Sequence, residues 1–183
     1  GRLREAPILW VVPPFLLDAV TGAGLTRRRI RIARPGEALH FDGLTVRPFD
    51  GLHWDGVARP DESPDPGGVR GVPAMSYCVE FAGRRWLFPG DTRCYDAGRL
   101  PAFGPLDGLF AHLWLGRAAA LVDPPPLLEP FCRFCLDLAP RRVVVAHLRE
   151  LGRAADDYWD DRHFRRVGEW LACHAPGLQL VCT

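Results

Sequence analysis

The chain has 183 residues, 48% of them hydrophobic, which is enough for one domain with a sizeable core. Its formal net charge is +1, from 23 basic and 22 acidic residues, so the balance calls for neither nucleic acid nor a membrane surface as partner. No run of about 18 apolar residues is present to span a bilayer, and Gly1-Arg2-Leu3-Arg4-Glu5 does not read as a signal peptide, so a cytoplasmic protein is expected.

Every basic residue is arginine, lysine and asparagine are absent, and alanine, glycine and proline are abundant. That bias is the signature of a GC-rich genome, and a bacterial source is expected. It makes Arg27-Arg28-Arg29 weak ground for a phosphate-binding patch; a solvated strand edge is the plainer role. The six cysteines could form a disulfide framework, but a chain this long and apolar needs no stapling, and reduced thiols are expected. Cys132-x-x-Cys135 has no second pair at zinc-ribbon spacing, and Leu127, Leu128, Phe131, Phe134 and Leu138 recur around it at helical spacing. These two cysteines therefore read as small core residues of one helix.

In chain order, Pro7 to Val12 is a buried strand pattern that needs neighbours on both sides. Pro13 to Val20 suits a short helix with proline in its first turn and Gly22 and Gly24 at its end, and Arg28 to Ile32 alternates like a strand. Together they make a strand-helix-strand unit. Ala38 to Phe41 and Leu44 to Phe49 read as a hairpin across Asp42-Gly43, whose second arm delivers His53 into a loop. Residues 55 to 73 hold Asp55, Asp61, Glu62, Asp65 and many prolines and glycines; this composition predicts a long surface insertion, suited to a lid, a binding loop or disorder.

Ala74 to Ala82 alternates with Met75, Tyr77, Val79 and Phe81 on one face, and Gly83-Arg84 turns it back into Arg85 to Phe88. The bulky run then stops at Pro89-Gly90-Asp91-Thr92, which places the Asp91 carboxylate at the rim of a sheet. Leu106 to Leu115 contains a further strand ending near His112, the cysteine-bearing helix follows Pro124-Pro125-Pro126, and Val143 to Ala146 is a strand carrying His147 at its end. A last helix from about Asp160 is expected to bury Phe164, Val167, Trp170 and Leu171, and Leu178 to Val181 closes as a strand. There is no internal repeat.

His53, Asp91 and His147 thus each follow a strand. Singly, each is as well read as a cap or a surface residue; together they point to metal ligation at the edge where α/β proteins carry their chemistry. His112 shares that rim and could orient a ligand or touch substrate, a half-buried and satisfied histidine being the plainer reading. His163, beside Asp160 and Asp161, is expected at the surface, and His40 and His174 are structural or exposed. Asp50 and Asp55 flank His53 and could replace it as ligand, although their company also suits turns; Glu150 and Arg153 could line the mouth of the site.

The order of a strand ending in His53, an insertion, the hairpin Tyr77-Cys78-Val79-Glu80-Phe81 to Trp86-Leu87-Phe88, then Gly90-Asp91-Thr92 and finally Val144-Val145-Ala146-His147 resembles the C-terminal two-thirds of a metallo-β-lactamase-fold hydrolase, over roughly residues 7 to 181. The resemblance implies a single α/β domain over residues 1 to 183, an αβ/βα four-layer sandwich of two mixed sheets with helices outside, lacking its first strands. It also implies that Asp91 bridges two metal ions, that His53 binds the first and that His147 binds the second. The family's main signature, His-x-His-x-Asp-His, is absent. Two explanations stand: a fragment of a longer protein, which the abrupt start favours, or a degenerate domain.

Two divalent ions are expected, zinc first with manganese or iron as alternatives, because imidazole and carboxylate suit such metals. A pair about 3.5 to 4 Å apart lowers the pKa of a shared water and polarises the group under attack. The expected activity is hydrolysis of a small ester, lactone or phosphodiester by the parent protein, with little from this chain alone. The insertion and Tyr-Cys-Val-Glu-Phe are similar to the branch holding sugar-phosphate lactonases and tRNA-processing or phosphodiester nucleases, although near-neutral charge argues against a large nucleic acid. A non-catalytic interaction domain is the alternative from another class. Missing strands would leave a bare sheet edge, so poor stability or association, for instance as a homodimer, is expected.

Overall fold

The computed structural model describes residues 6–53, 74–148 and 152–183; the 55 to 73 insertion and Glu150 fall outside them. The first elements are β1 (Trp10–Val12), a 3-10 turn running into α1 (Leu17–Gly22), and β2 (Ile30–Ile32), which pairs parallel with β1 as a two-stranded sheet. The expected strand-helix-strand unit is present, with shorter strands. Arg27–Arg29 form a 3-10 turn before β2 rather than part of it, and the Arg29 side chain donates to the Ile8 carbonyl at 3.1 Å, tying the turn to the chain entering β1.

The other strands are β3 (Leu39–Phe41), β4 (Leu44–Asp50), β5 (Met75–Phe81), β6 (Arg84–Phe88), β7 (Gly108–His112), β8 (Arg142–Ala146) and β9 (Gln179–Cys182). They form one seven-stranded sheet in sequence order, antiparallel from β3 to β6 and parallel from β6 to β9. The connections agree with this: the tight turns between β3 and β4 and between β5 and β6 join antiparallel neighbours, whereas α2 (Leu128–Asp137) and α3 (Asp161–His174) carry the chain back to β8 and to β9 as parallel ones. Two reversals between β4 and β6 restore the direction, so β4, β6, β7 and β8 all point their C-terminal ends to one rim.

One face of this sheet carries Cys78, Leu87, Leu109, Ala111, Val143 and Val145, which join Phe131 and Phe134 of α2 and Val167 and Leu171 of α3 in a single core cluster. Cys132 and Cys135 are both fully buried there, as their helical company predicts, and all six cysteines are free. The opposite face presents Trp86, Phe88 and Phe110, with Phe88 stacked on Phe110 at 4.5 Å between centroids. On β5 the deeply buried residues are Ser76 and Cys78, whereas Phe81 of the expected apolar face is 58% exposed.

Two sequence expectations are corrected in the last helix. Phe164 and Trp170 are only partly buried, the deepest positions being Val167, Leu171 and His163. His163 is not a surface residue: its Nε2 lies 2.9 Å from the Ala120 carbonyl, its ring meets Trp159 edge-on, and its Nδ1, 3.1 Å from the Asp160 backbone nitrogen, completes a capping box. Among the described residues no helix is long and apolar enough to cross a membrane.

Candidate metal centre

The rim where β4, β6, β7 and β8 end collects the histidines and the aspartate. His53 lies three residues beyond β4, Asp91 three beyond β6, His112 is the last residue of β7, and His147 is the first beyond β8. Neighbouring strands bring the last two together, since His112 pairs in register with Ala146 and the Leu113 amide donates to the Ala146 carbonyl at 2.9 Å.

The loop bearing Asp91 is held from both sides. The buried Ser76 hydroxyl donates to the Pro89 carbonyl at 2.6 Å, and the amides of Arg93 and Cys94 donate to the Leu52 carbonyl at 3.1 and 3.2 Å. The second pair of bonds ties the Asp91 loop to the His53 loop. Gly90, with φ +72°, makes the reversal that side chains resist, and Thr92 is buried behind it. His147 itself has φ 70°, a left-handed conformation uncommon outside glycine and concentrated at sites where the surroundings impose it.

His53 Nε2 lies 3.1 Å from Asp91 Oδ2. Asp91, His112 and His147 each offer one ligand atom, all within 4.8 Å of one another. The carboxylate thus lies close to all three histidines. His53 Nδ1, Asp91 Oδ1 and His112 Nδ1 are buried with no hydrogen-bond partner among the described residues, so the satisfied histidine expected at position 112 is not found. Orphaned buried polar atoms are costly, and a bound ion relieves that cost. Burial, with a smaller contribution from neighbouring His147, holds the His112 imidazole below its ordinary 6.5, against the opposing pull of Asp91. The neutral ring this favours is the form that binds metals. One carboxylate oxygen and imidazole nitrogens at this spacing fit zinc, whose bonds to such atoms are about 2.0–2.2 Å long.

Two further side chains border the cluster. Arg93 Nη2 stands 3.7 Å from Asp91 Oδ2, and its guanidinium lies over the buried Trp114 ring, 4.7 Å from the centroid. Trp114 in turn accepts the Tyr95 hydroxyl on its carbonyl at 2.7 Å. Sequence reasoning passed over Arg93; its place two residues after Asp91 was the available signal. Of the other candidates, Asp50 is exposed at the end of β4, His40 and His174 are exposed elsewhere, and Arg153 pairs with Asp157 at 2.6 Å.

A mixed sheet whose same-direction strands deliver histidines and an aspartate to one rim defines an α/β protein with a candidate metal centre. No family model matches the sequence, and no curated protein matches it. Solved structures do match. The chain is similar to YhfI from Bacillus subtilis, a metallo-β-lactamase fold protein, at 11% identity and TM-score 0.57 over 92% of this chain and 59% of that one. It is similar to zinc-bound PqqB from Methylobacterium extorquens at 15% identity and TM-score 0.56, over 99% and 65%. It is also similar to CmlA, a diiron β-hydroxylase from Streptomyces venezuelae, at 18% identity and TM-score 0.58, over 91% and 35%. The chain thus has the metallo-β-lactamase fold, and it spans between about a third and two thirds of the length of these relatives.

Proposed function

We propose that this chain is part of a metal-dependent hydrolase whose substrate is a small ester, lactone or phosphodiester. The observation that carries the reading is the convergence of Asp91, His112 and His147 within 4.8 Å, with His53 Nε2 3.1 Å from the same carboxylate. Asp91, His112, His147 and His53 would hold the metal, zinc being the first candidate. When bound, such ions supply Lewis acidity and a water activated near neutral pH. The chain's own residues orient it: the Ser76 and Leu52 bonds fix the Asp91 loop, and the strand pairing fixes the two histidines.

Zinc in PqqB and two irons in CmlA show that this fold carries metals in those proteins, which supports the reading. The test is elemental analysis of protein purified without chelator, beside Asp91→Ala, followed by assay on nitrophenyl esters, lactones and bis-nitrophenyl phosphate. Metal in the parent that disappears with the carboxylate, with hydrolysis of one panel member, is the expected result. Absence of metal in both would favour a non-catalytic domain of the same fold.

A further inference from the structure

We propose that Tyr95 is a positioning residue of the metal centre, whose buried hydroxyl sets how far Asp91 stands from His112 and His147. The inference rests on the metal-centre reading above and deepens it by naming a side chain that acts through the ligands. Tyr95 lies in the loop that carries Asp91, and its hydroxyl donates at 2.7 Å to the carbonyl of Trp114, just beyond His112.

The segments that reach the rim are linked in series. Main-chain bonds join the His53 loop to the Asp91 loop, through the Arg93 and Cys94 amides on the Leu52 carbonyl, and join β7 to β8, through the Leu113 amide on the Ala146 carbonyl. The joint between these two halves is built differently. β7 and β8 stay paired up to His112 and Ala146, but the register of β6 with β7 ends at Leu87 and Leu109, before either ligand is reached. Beyond that point Phe88 stacks on Phe110 at 4.5 Å, a contact that holds the strands together yet tolerates sliding. The Arg93 guanidinium over the Trp114 ring adds another contact of low directionality. A hydrogen bond fixes distance and direction, and the one from Tyr95 to Trp114 crosses this joint. It sets where the carboxylate stands relative to the histidine pair.

The phenol is itself fixed from behind. Its ring meets Phe131 edge-on at 5.4 Å and leans on Phe134 at 5.6 Å, both buried on the core face of α2. Burial pushes the Tyr95 hydroxyl well above its ordinary 10.0, so it stays a donor at neutral pH. The core helix thus aims the hydroxyl, the hydroxyl holds the Trp114 carbonyl, and the adjoining Leu113 amide passes that position to Ala146 and His147. Metal sites accept ligand distances within only about 0.2 Å of their preferred values, so an aimed bond of this kind bears on affinity.

The test follows zinc affinity by chelator competition and the visible spectrum of the cobalt(II)-loaded protein, which reports ligand geometry. Tyr95→Phe keeps the ring and removes the hydroxyl; it is expected to bind zinc about 10-fold more weakly and to shift the cobalt bands. Phe131→Leu, which keeps the hydroxyl but removes the ring edge that aims it, is expected to fall between Tyr95→Phe and the parent. Val167→Ala, a cavity in the same core on α3, is expected to lower the unfolding midpoint while leaving affinity and spectrum unchanged. Parent-like affinity and bands in Tyr95→Phe would overturn the positioning role while leaving the metal centre standing. Equal changes in Val167→Ala would overturn it too, because they would then follow from lost stability alone. If Tyr95→Phe does not fold, Phe131→Leu decides by the same two readings. A parent that binds neither metal would remove the metal centre and this inference with it.

Discussion

The rings of His112 and His147 lie face to face, 5.2 Å between centroids and 10° from parallel. Two imidazolium ions would repel in that arrangement, and the lowered pKa of His112 agrees with a neutral ring at that position. The stack also separates shape from ligation. His112→Phe preserves an aromatic face for His147 while removing a nitrogen. Removing even an outer partner of a metal ligand costs about 10- to 100-fold in affinity, so this variant is expected to lose at least that much zinc affinity with its fold intact. Chelator competition measures the affinity, and circular dichroism checks the fold.

The start of α3 gives a pH-dependent prediction away from the centre. Partial burial pushes the Asp160 carboxyl up, but the Arg162 amide, His163 and Arg162 together outweigh it and hold it below its ordinary 3.8. A group with a lowered folded pKa favours folding above its unfolded value, and that contribution disappears as pH falls through the folded pKa. Asp160→Ala, which removes the cap, is therefore expected to lose about 1 kcal/mol at neutral pH. The gap to the parent should shrink in acid below about 3.8. Thermal unfolding at pH 7 and pH 3 measures both; a gap that is constant with pH would remove the charge from the account.

Thiol reactivity should divide the cysteines by depth. Burial pushes the Cys132 thiol up to about 12 and Cys78 to about 11, and raises Cys135 well above its ordinary 9.0. Cys173 and Cys182 are exposed. At pH 8 a disulfide reagent is expected to titrate Cys173 and Cys182 quickly in the folded protein, and Cys78, Cys132 and Cys135 only after denaturation. Mass spectrometry of the labelled peptides identifies the sites.

Gly108, at the start of β7, sits against the Trp86 ring: a Cβ there would fall 2.1 Å from Trp86 Cζ3. Gly108→Ala must displace that indole, which also packs on Phe110 at 5.7 Å. Overpacking of this kind costs about 1–3 kcal/mol. Denaturant unfolding should show the loss, and Trp86 fluorescence should shift in the native baseline; an unchanged midpoint would show that the ring yields freely.

The elements that were legible in the sequence are those set by local chemistry. The hairpin at Asp42-Gly43, the strand ending before Gly90-Asp91 and the core face of α2 around Cys132 and Cys135 all follow from alternation, turn residues and helical spacing. The rim position of His53, Asp91 and His147 followed in the same way, because each stands just after an apolar run. The motif order also carried the likeness to the metallo-β-lactamase fold, although identity to the matched structures is 18% or less.

Partnership between side chains was not legible, because it depends on which strands become neighbours. His163 reads as a surface residue beside two aspartates, and only the packing of α3 against the Ala120 carbonyl buries it. His112 reads as a lone half-buried histidine until β7 and β8 pair and lay its ring on His147. Arg93 is one arginine among many until the Asp91 loop folds it over Trp114. Periodicity is a property of residues a few positions apart, so the sequence by itself determined the strands, the helices and the rim. Contacts such as that between Asp91 and His53, 38 positions apart in the chain, arise only when the sheet forms, and the tertiary structure alone decided them.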